Sequence, residues 1–364
     1  MVYRALLGLG FLISLSTFGL AEWSVFRGNA KQTGTSAVGL PDKLQLLWKY
    51  STKDSIEGAP AIVDGCVYIG SYDEYLYALD LADGKAKWKY KCGPIKASPA
   101  VRQGRIYIGN ADGVFHCLDA AKGDKCWTFE TEGEITSGAN FHGDLILFGS
   151  HDETLYCVTK EGKEKWKFKT QGPVYGSAAA ANGKTFVAGC DSMVHVLDIA
   201  SGNEDRAVDL GGQTAASGAV SGSFLYIGTM TNQFQAIDWK QGRIAWTFQA
   251  EQRPQPFYSS ACVTDDLVLA GSRDRRLHAL DRKTGKEVWS FATEGKVDGS
   301  PVVAGRRVFV PSMDGNLYIL DLKKGDQLDK IRLDGPILGS PAVSDGRLVV
   351  GTSKGTVYCF GEKK

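Results

Sequence analysis

The hydrophobic positions of this chain form a short strand pattern that occurs eight times. Apolar residues dominate four or five positions, and each copy then ends in Gly or Pro, as in VYIG at Gly70 and IYIG at Gly109. The other copies end at Gly149, Gly189, Gly228, Gly271, Pro311 and Gly351. Successive copies lie 39, 40, 40, 39, 43, 40 and 40 residues apart. A period of this length, with several short strands in each unit, predicts a propeller or a solenoid.

The segment from Ala97 to Phe129 illustrates one repeat. It reads as four strands, SPAV, RIYIG, VFHCLD and CWTFE, with Gly-containing or polar turns between them. Four antiparallel strands joined by tight turns make one twisted blade. A single blade is marginally stable alone, so the blades must pack around an axis. We therefore predict an all-β, eight-bladed propeller of four-stranded antiparallel blades.

A small residue, a Gly and a Trp form a second recurring pattern, complete for example at Ala78, Gly84 and Trp88. A buried Trp covers about 150–250 Å², so these side chains are expected to hold neighbouring blades together. The Gly lies in the turn before the fourth strand, where positive φ is favoured. The predicted docking residues are Trp48, Trp88, Trp127, Trp166, Trp246 and Trp289.

The last repeat lacks its fourth strand. It runs from Ser340 to Phe360 and the chain stops at Lys364, whereas a Trp strand around Trp48 has no repeat before it. We predict that this N-terminal strand completes the eighth blade and so removes the free sheet edges. The predicted organisation is a signal peptide at 1–21, an N-terminal extension at 22–40 and one propeller at 41–364.

Composition narrows the function. The net charge of +1 gives no reason to expect a nucleic-acid-binding face. Residues 1–21 contain Arg4, an apolar stretch and small residues at the end, which predicts a signal peptide and export to the periplasm or outside the cell. No membrane span is expected once this peptide is removed. The alternative is that residues 1–21 stay attached as an uncleaved membrane anchor. Cys117 and Cys126 lie on neighbouring predicted strands, where a disulfide and two free thiols are both possible. Cys190 is expected to be the exposed cysteine.

The phrases SPAV, VYIGS and TGKEVW, together with the Ala, Gly and Trp spacing, resemble the pyrroloquinoline quinone (PQQ) repeat family of eight-bladed propellers. The likeness covers residues 41–361. This family includes quinone-dependent alcohol dehydrogenases and outer-membrane assembly proteins of the BamB type. The dehydrogenases carry a vicinal cysteine pair, a calcium site, a catalytic Asp and long insertions. This chain has no adjacent cysteines and few insertions.

Other catalytic signatures are missing from the sequence, which contains no HExxH, CxxC, GxSxG or phosphate-loop motif. His116, His195 and His278 occupy third-strand positions where other repeats have Tyr, so we interpret them as ordinary strand residues. A ring of carboxylates precedes the third strands, and either a turn role or a calcium role would explain it. Its members are Asp73, Asp112, Asp152, Asp191, Asp274 and Asp314. We favour the turn role and predict no catalytic or metal-binding residue.

The residues two positions before the start of each inner strand vary from repeat to repeat, and only Tyr occurs twice. The loops that carry them meet on one face of a propeller, so this variety indicates a mouth adapted to a ligand or partner; neutral drift is the alternative. These positions are Glu57, Lys96, Thr136, Tyr175, Ala216, Tyr258, Asp298 and Leu338.

The sixth repeat departs most from the others. Its first loop, Gln249 to Tyr258, contains the additional residues behind the 43-residue step. Rigid prolines, exposed aromatics and clustered Arg are typical of recognition surfaces, which predicts an anion or acidic-peptide contact. Alternatively, Arg273 pairs with a neighbouring carboxylate. The candidate residues here are Arg253, Phe257, Tyr258, Arg273, Arg275 and Arg276.

These features favour an exported, non-catalytic propeller that binds a protein or peptide at one face, with a role in cell-envelope or outer-membrane assembly implied by the family resemblance. The alternative is a dehydrogenase that uses PQQ with calcium, or a degenerate relative that still binds PQQ.

Overall fold

Eight sheets, each built from four antiparallel strands, surround a central channel in the computed structural model, which describes residues 22–251 and 253–363. The short strand Thr35–Ser36 adds a fifth, parallel strand to the inner edge of the seventh sheet. Within each blade the strands follow one another from the channel outward. The predicted eight-bladed propeller is therefore confirmed. The predicted signal peptide lies outside the described residues.

The blades are numbered along the chain, and their strands are given from the innermost to the outermost. Blades 1 to 4 consist of Ala61–Val63, Cys66–Gly70, Tyr75–Asp80 and Ala86–Lys91; Ala100–Arg102, Arg105–Gly109, Val114–Asp119 and Lys125–Glu130; Asn140–His142, Leu145–Ser150, Thr154–Thr159 and Glu164–Lys169; and Ala179–Ala181, Lys184–Ala188, Met193–Asp198 and Glu204–Asp209. Blades 5 to 8 consist of Ala219–Ser221, Phe224–Gly228, Phe234–Asp238 and Arg243–Phe248; Cys262–Val263, Leu267–Ser272, Arg276–Asp281 and Glu287–Ala292; Val302–Ala304, Arg307–Pro311, Asn316–Asp321 and Gln327–Arg332; and Ala342–Ser344, Arg347–Gly351, Thr356–Gly361 and Gln45–Ser51.

The eighth blade is completed by the N-terminal strand Gln45–Ser51, as predicted. This strand pairs antiparallel with Thr356–Gly361, and Trp48 lies opposite Cys359. Trp88 faces Ala78 in the same way in blade 1, and the register shifts just before the Trp in both blades. The N-terminal strand therefore has the geometry of any other outer strand, although it comes from the opposite end of the chain.

Each docking Trp contacts the turn of the following blade. The Trp48 indole Nε1 donates a hydrogen bond to the Leu81 carbonyl oxygen at 2.9 Å. A Cβ added to Gly84 would lie 2.6 Å from the Trp48 ring, and Gly84 also has a φ of +75°. Gly is therefore required here both by the backbone conformation and by the indole ring that packs on it. Trp88, Trp127, Trp166, Trp246 and Trp289 donate to carbonyl oxygens of the next blade at 2.8–3.2 Å.

The glycines that end the second strands are required for a different reason, which is the close approach of the next loop. A Cβ on Gly70 would lie 2.3 Å from Ile95, and one on Gly109 would lie 2.1 Å from Ile135. In both cases the isoleucine belongs to the loop that leads into the next blade. The second strand and the next loop thus pack together without space for a side chain, which fixes the height of each loop relative to the preceding blade.

The N-terminal segment, residues 22–36, passes along the inner strands inside the channel. Its backbone carbonyl oxygens accept hydrogen bonds of 2.7–3.0 Å from the corresponding amide of six inner strands. The donors are Ile62, Val101, Ala180, Val220, Val263 and Val303. In blade 3 the Asn140 side chain donates to the Ala30 carbonyl instead, at 2.8 Å. The segment therefore satisfies backbone donors that would otherwise face the channel.

Arg27 lies at the centre of this segment and is 0% exposed. Its Nη2 atom donates to the carbonyl oxygens of Ala261 at 3.0 Å and Pro301 at 2.6 Å. Burial lowers the pKa of Arg27 to about 10, so the guanidinium is still charged at neutral pH. Arg27 thus connects the N-terminal segment to blades 6 and 7.

The cysteines all carry free thiols, so Cys117 and Cys126 are not joined. Cys126 is the exposed one, whereas Cys190 is only partly exposed, so the expectation for Cys190 is wrong. Cys126 lies on the outer strand of its blade, where the preceding residue, Lys125, is also exposed. Among the residues that the structure describes, no helix is long and apolar enough to cross a membrane.

Candidate functional site at the channel mouth

The loops before the eight inner strands meet at one end of the channel. One side chain from each loop lines a shared cavity of about 160 Å³. We call this set the mouth ring: Glu57, Lys96, Thr136, Tyr175, Ala215, Tyr258, Asp298 and Leu338. Phe26 of the N-terminal segment also lines the cavity and closes it from below. The mouth is therefore a shallow bowl rather than an open pore.

The mouth residue predicted for blade 5, Ala216, is wrong by one position. Ala215 lines the cavity, whereas Ala216, the predicted residue, is only 2% exposed. The fifth repeat reads AASG, and its consecutive small residues conceal the register. The structure resolves it, because Ser217 occupies the position of Ser98 and Ser177 in other blades.

A belt of hydrogen bonds just below the mouth ring fixes the loops relative to one another. In six places a backbone amide donates at 2.7–3.2 Å to a serine hydroxyl of the following blade. The acceptors are Ser98, Ser177, Ser217, Ser260, Ser300 and Ser340. The belt is interrupted where Gly138 and Ala59 stand in place of serine. The recurring serine thus positions the mouth ring, which leaves the residue two positions earlier free to vary.

Arg273 lies between two members of the mouth ring. Its guanidinium donates from both Nε and Nη2 to the Asp298 carboxylate, at 3.0 and 2.9 Å. The same group stacks on the Tyr258 ring, with the guanidinium carbon 3.6 Å from the ring centroid. Arg273 therefore pairs with Asp298 of the next blade, rather than with the adjacent Asp274 considered from the sequence, and the two charges offset each other.

His151 contacts two other members of the mouth ring, Thr136 and Tyr175. Its Nε2 atom forms a hydrogen bond of 2.9 Å with the Thr136 hydroxyl, and its ring lies edge-on to Tyr175 at 4.4 Å. Burial lowers the pKa of His151, and Lys96 contributes in the same direction. Lys96 itself lies 3.8 Å from the Glu134 carboxylate. His151 and Glu134 were not among the residues predicted from the sequence, although Glu134 lies in the same loop as Thr136.

The predicted sixth-blade residues do not form one surface. Phe257 is 1% exposed, so the expectation of an exposed aromatic here is wrong. It occupies the position of Ile95 in blade 2 and packs against Gly228, where a Cβ would lie 2.3 Å away. Arg275 is exposed at a turn with a φ of 70°.

Arg253 and Arg276 line a separate groove of about 830 Å³ between blades 5 and 6, together with Phe248, Glu287 and Lys286. Arg276 donates to the Ser290 hydroxyl at 2.9 Å. The sixth blade therefore presents two distinct regions. Tyr258 and Arg273 belong to the mouth, whereas Arg253 and Arg276 belong to the groove.

The predicted carboxylate ring is spread over separate blades. Asp73 accepts a hydrogen bond from the Tyr77 hydroxyl at 2.7 Å and from the Lys53 amide at 2.8 Å. Asp152 and Asp314 accept from Tyr156 and Tyr318 in the same way, at 2.7 and 2.9 Å. These three carboxylates therefore connect their own turns to the third strand. Within the described ranges no group of three or more His, Cys, Asp or Glu side chains could hold a metal ion.

Two of the three third-strand histidines, His195 and His116, lie in opposite electrostatic environments. Burial alone would lower the pKa of His195, but hydrogen bonds to Asp191 at 2.8 Å and Glu204 at 2.6 Å raise it. The pKa of His116 is lowered to about 4, because burial disfavours its charge and Lys125 lies where blade 4 has Glu204. The carboxylate partners of His195 and the lysine near His116 therefore help to shift the two pKa values in opposite directions.

We expect these two histidines to make stability depend on pH in opposite directions. Because the folded pKa of His116 lies below its usual 6.5, its contribution is lost as the pH falls from about 6.5 to 4. The advantage of the native chain over His116→Gln should shrink by about 3 kcal/mol across that range. Because the folded pKa of His195 is raised, its contribution is lost as the pH rises through that value. Urea unfolding of the native chain, His116→Gln and His195→Gln between pH 4 and 8 measures this, and parallel profiles of the two variants would contradict it.

The fold and the site define the class of this protein. It is a closed eight-bladed propeller with a bowl-shaped mouth, and its channel is filled by its own N-terminal segment. The chain matches the protein family described as outer membrane protein assembly factor BamB, over the overlapping segments 41–139, 111–205, 191–296, 258–328 and 273–364. These matches extend over most of the chain. The protein therefore belongs to this family of PQQ-repeat propellers.

Solved structures share the fold at low sequence identity. BamB from Moraxella catarrhalis superposes with a TM-score of 0.75 at 19% identity, covering 88% of this chain and 100% of its own. Quinohemoprotein alcohol dehydrogenase from Comamonas testosteroni has a TM-score of 0.82 at 15% identity, covering 94% of this chain and 81% of its own. A computationally designed protein, Ika8, has a TM-score of 0.78 at 17% identity, with 87% and 100% covered. Such likeness shows the fold alone.

A curated relative matches over a shorter region. The 1-butanol dehydrogenase (cytochrome c) of Thauera butanivorans is 35% identical over 99 residues, which is 24% of this chain and 14% of the dehydrogenase. The chain thus spans about one seventh of that enzyme in the aligned region. A match of this extent identifies related repeats.

Proposed function

We propose that the protein is an exported, non-catalytic propeller that binds a segment of another protein at the mouth ring and acts as a scaffold in the cell envelope. The proposal includes removal of residues 1–21 and the organisation of residues 41–364 as one domain. One observation carries it: eight positions that vary among the blades, with only Tyr occurring twice, converge on a single half-exposed bowl. Family membership also favours a protein partner.

The rigidity of the mouth supports this function. The serine belt fixes the loops, and Arg273 and His151 hold two of the aromatic side chains. A surface that is fixed before binding loses little conformational freedom when a partner binds. Half-exposed Tyr side chains surrounded by polar groups are characteristic of binding hot spots.

A dehydrogenase that uses PQQ with calcium is the second candidate, and the match to 1-butanol dehydrogenase is the observation that favours it. The mouth residues do not fit this cofactor. PQQ is a tricyclic quinone with three carboxylates, yet Lys96 and Arg273 already face Glu134 and Asp298. The cavity of about 160 Å³ is smaller than the roughly 300 Å³ at which ligand pockets begin. We therefore derive no redox step at this site.

Adding PQQ and calcium to the purified protein tests the second candidate directly. We expect neither a bound-quinone absorption spectrum nor dye-linked oxidation of 1-butanol. Bound quinone with turnover of the alcohol would overturn the proposed function.

Selection of peptides from a displayed random library on the immobilised protein tests the mouth. We expect Ala215→Trp, which fills the bowl, to reduce capture of the selected peptides at least tenfold. The matched control is Arg253→Ala with Arg275→Ala, since both side chains are exposed and neither lines the mouth. Retained capture by Ala215→Trp, with unchanged unfolding of both variants, would refute binding at the mouth.

A further inference from the structure

Two tyrosines at the mouth face a small residue between them. Tyr175 of blade 4 and Tyr258 of blade 6 line the bowl on either side of Ala215 of blade 5. All three residues line the same cavity, with Ala215 on the blade between the two tyrosines. We call the space above Ala215 the tyrosine cleft. Cys190 and Met230, which are uncharged, follow the second strands of blades 4 and 5, at the positions that His151 and Arg273 occupy in blades 3 and 6.

Both rings are held by neighbouring side chains. His151 comes from blade 3 and contacts the Tyr175 ring at 4.4 Å. Arg273 stacks on Tyr258 and bonds to Asp298 of blade 7, so its guanidinium lies between those two residues. Both tyrosines remain partly exposed and line the bowl, where a ligand can reach them. A side chain inserted there would contact two aromatic rings that are already fixed.

The charges of the mouth are matched, with one exception. Arg273 pairs with Asp298, Lys96 lies near Glu134, and burial lowers the pKa of His151. Among the described residues Glu57 has no salt bridge, and its side chain is partly exposed. Its hydrogen-bond partner is the Ser55 hydroxyl, at 3.4 Å. The mouth ring thus presents one carboxylate without a cationic partner.

Glu57 and the tyrosine cleft lie on opposite sides of the bowl. Glu57 belongs to blade 1 and Ala215 to blade 5, which are four blades apart in a ring of eight. A bound segment that reaches both must cross the diameter of the mouth. An extended peptide does this readily, because its side chains are spaced along an extended backbone.

We propose that the mouth binds an extended peptide segment that places an aromatic or large aliphatic side chain in the tyrosine cleft and a Lys or Arg side chain against Glu57. This inference rests on the proposed binding at the mouth and adds the chemistry of the partner. The opposite orientation, with the cation in the cleft, is disfavoured because the Arg273 guanidinium already stacks on Tyr258. An acidic peptide, which the sixth-repeat arginines suggest, would meet the unpaired charge of Glu57.

Fluorescent synthetic peptides and the full-length protein test this pairing. Four peptides combine Phe or Ala at the anchor position with Lys or Glu at the charged position. We expect the Phe and Lys peptide to bind most tightly, and its affinity to fall as salt rises. Glu57→Gln should weaken that peptide about tenfold and remove most of its salt dependence. Glu57→Lys should reverse the preference, so that the Phe and Glu peptide binds better.

Glu161→Gln is the matched control, since Glu161 is exposed in a turn between third and outer strands, away from the mouth. It should leave all four affinities unchanged. Ala215→Leu fills the cleft and should remove the advantage of Phe over Ala. If peptides bind at the mouth but Glu57→Lys leaves their charge preference unchanged, the inference fails and the proposed function stands. If no peptide binds, or if Ala215→Trp leaves binding intact, both fail.

Discussion

Replacing Trp48 with Ala is expected to destabilise the protein by about 3–5 kcal/mol, the usual cost of truncating a buried Trp. Trp48 is 8% exposed, packs on Gly84 and donates to the Leu81 carbonyl. It also lies in the strand that joins the two ends of the chain. The variant should therefore lower the urea midpoint and increase hydrogen exchange in Gln45–Ser51 before the rest of the propeller.

Two further variants separate the components of this effect. Trp48→Phe retains an aromatic ring against Gly84 but loses the hydrogen bond to Leu81, so we expect a loss of about 1 kcal/mol. Leu46→Ser alters a side chain of the same strand that is 44% exposed, and surface changes of this kind usually stay within about 0.5 kcal/mol. Equal unfolding midpoints for Trp48→Ala and Leu46→Ser would contradict a role for Trp48 in ring closure.

Periodicity explains how much of the fold could be predicted. The strand pattern and the Trp slots repeat, so each copy supports the interpretation of the others. The eighth blade could be predicted because the missing strand after Phe360 and the unmatched strand around Trp48 are complementary departures from that period. Phe257 could have been recognised as buried by the same logic, since it immediately precedes a mouth-ring residue, as Ile95 does.

The N-terminal segment could not be predicted in this way. It binds the inner strands through its own carbonyl oxygens, which every residue type provides, so its side chains carry no repeating pattern. Arg27 gives no sequence signal either, because an Arg is usually exposed. The channel is therefore filled by a segment that reads as an irregular extension.

The position of the candidate site could be predicted from the sequence, but the pairing of its charged side chains could not. Variation among repeats identified the mouth ring apart from the one-residue error in blade 5. The partner of Arg273 depends on which loop of the next blade reaches it, and that is set by the tertiary arrangement. As a result, the sequence suggested an arginine cluster for anions, whereas the structure pairs Arg273 with Asp298 and leaves Glu57 without a cation.

Gly34→Ala is expected to have the second large effect, because it tests whether the N-terminal segment is a fixed part of the propeller. A Cβ at Gly34 would lie 1.9 Å from Nη2 of Arg27, and Gly34 has a φ of +68°. Arg27 cannot move aside without losing its hydrogen bonds to Ala261 and Pro301, which would leave a buried charge unsatisfied. We expect a loss of more than about 3 kcal/mol, measured by urea unfolding.

Two other glycines supply the controls that make this result specific. Gly143 has a φ of +57° with open space around its Cβ position, so Gly143→Ala should cost only the backbone strain of about 1 kcal/mol. Gly39 has neither a left-handed φ nor a neighbour within 4 Å, so Gly39→Ala should be neutral or stabilise by up to about 1 kcal/mol. The difference between Gly34→Ala and Gly143→Ala isolates the contact with Arg27. If the two variants unfold at the same urea concentration, Arg27 does not hold the N-terminal segment in the channel, and the closed floor of the mouth would lose its physical basis.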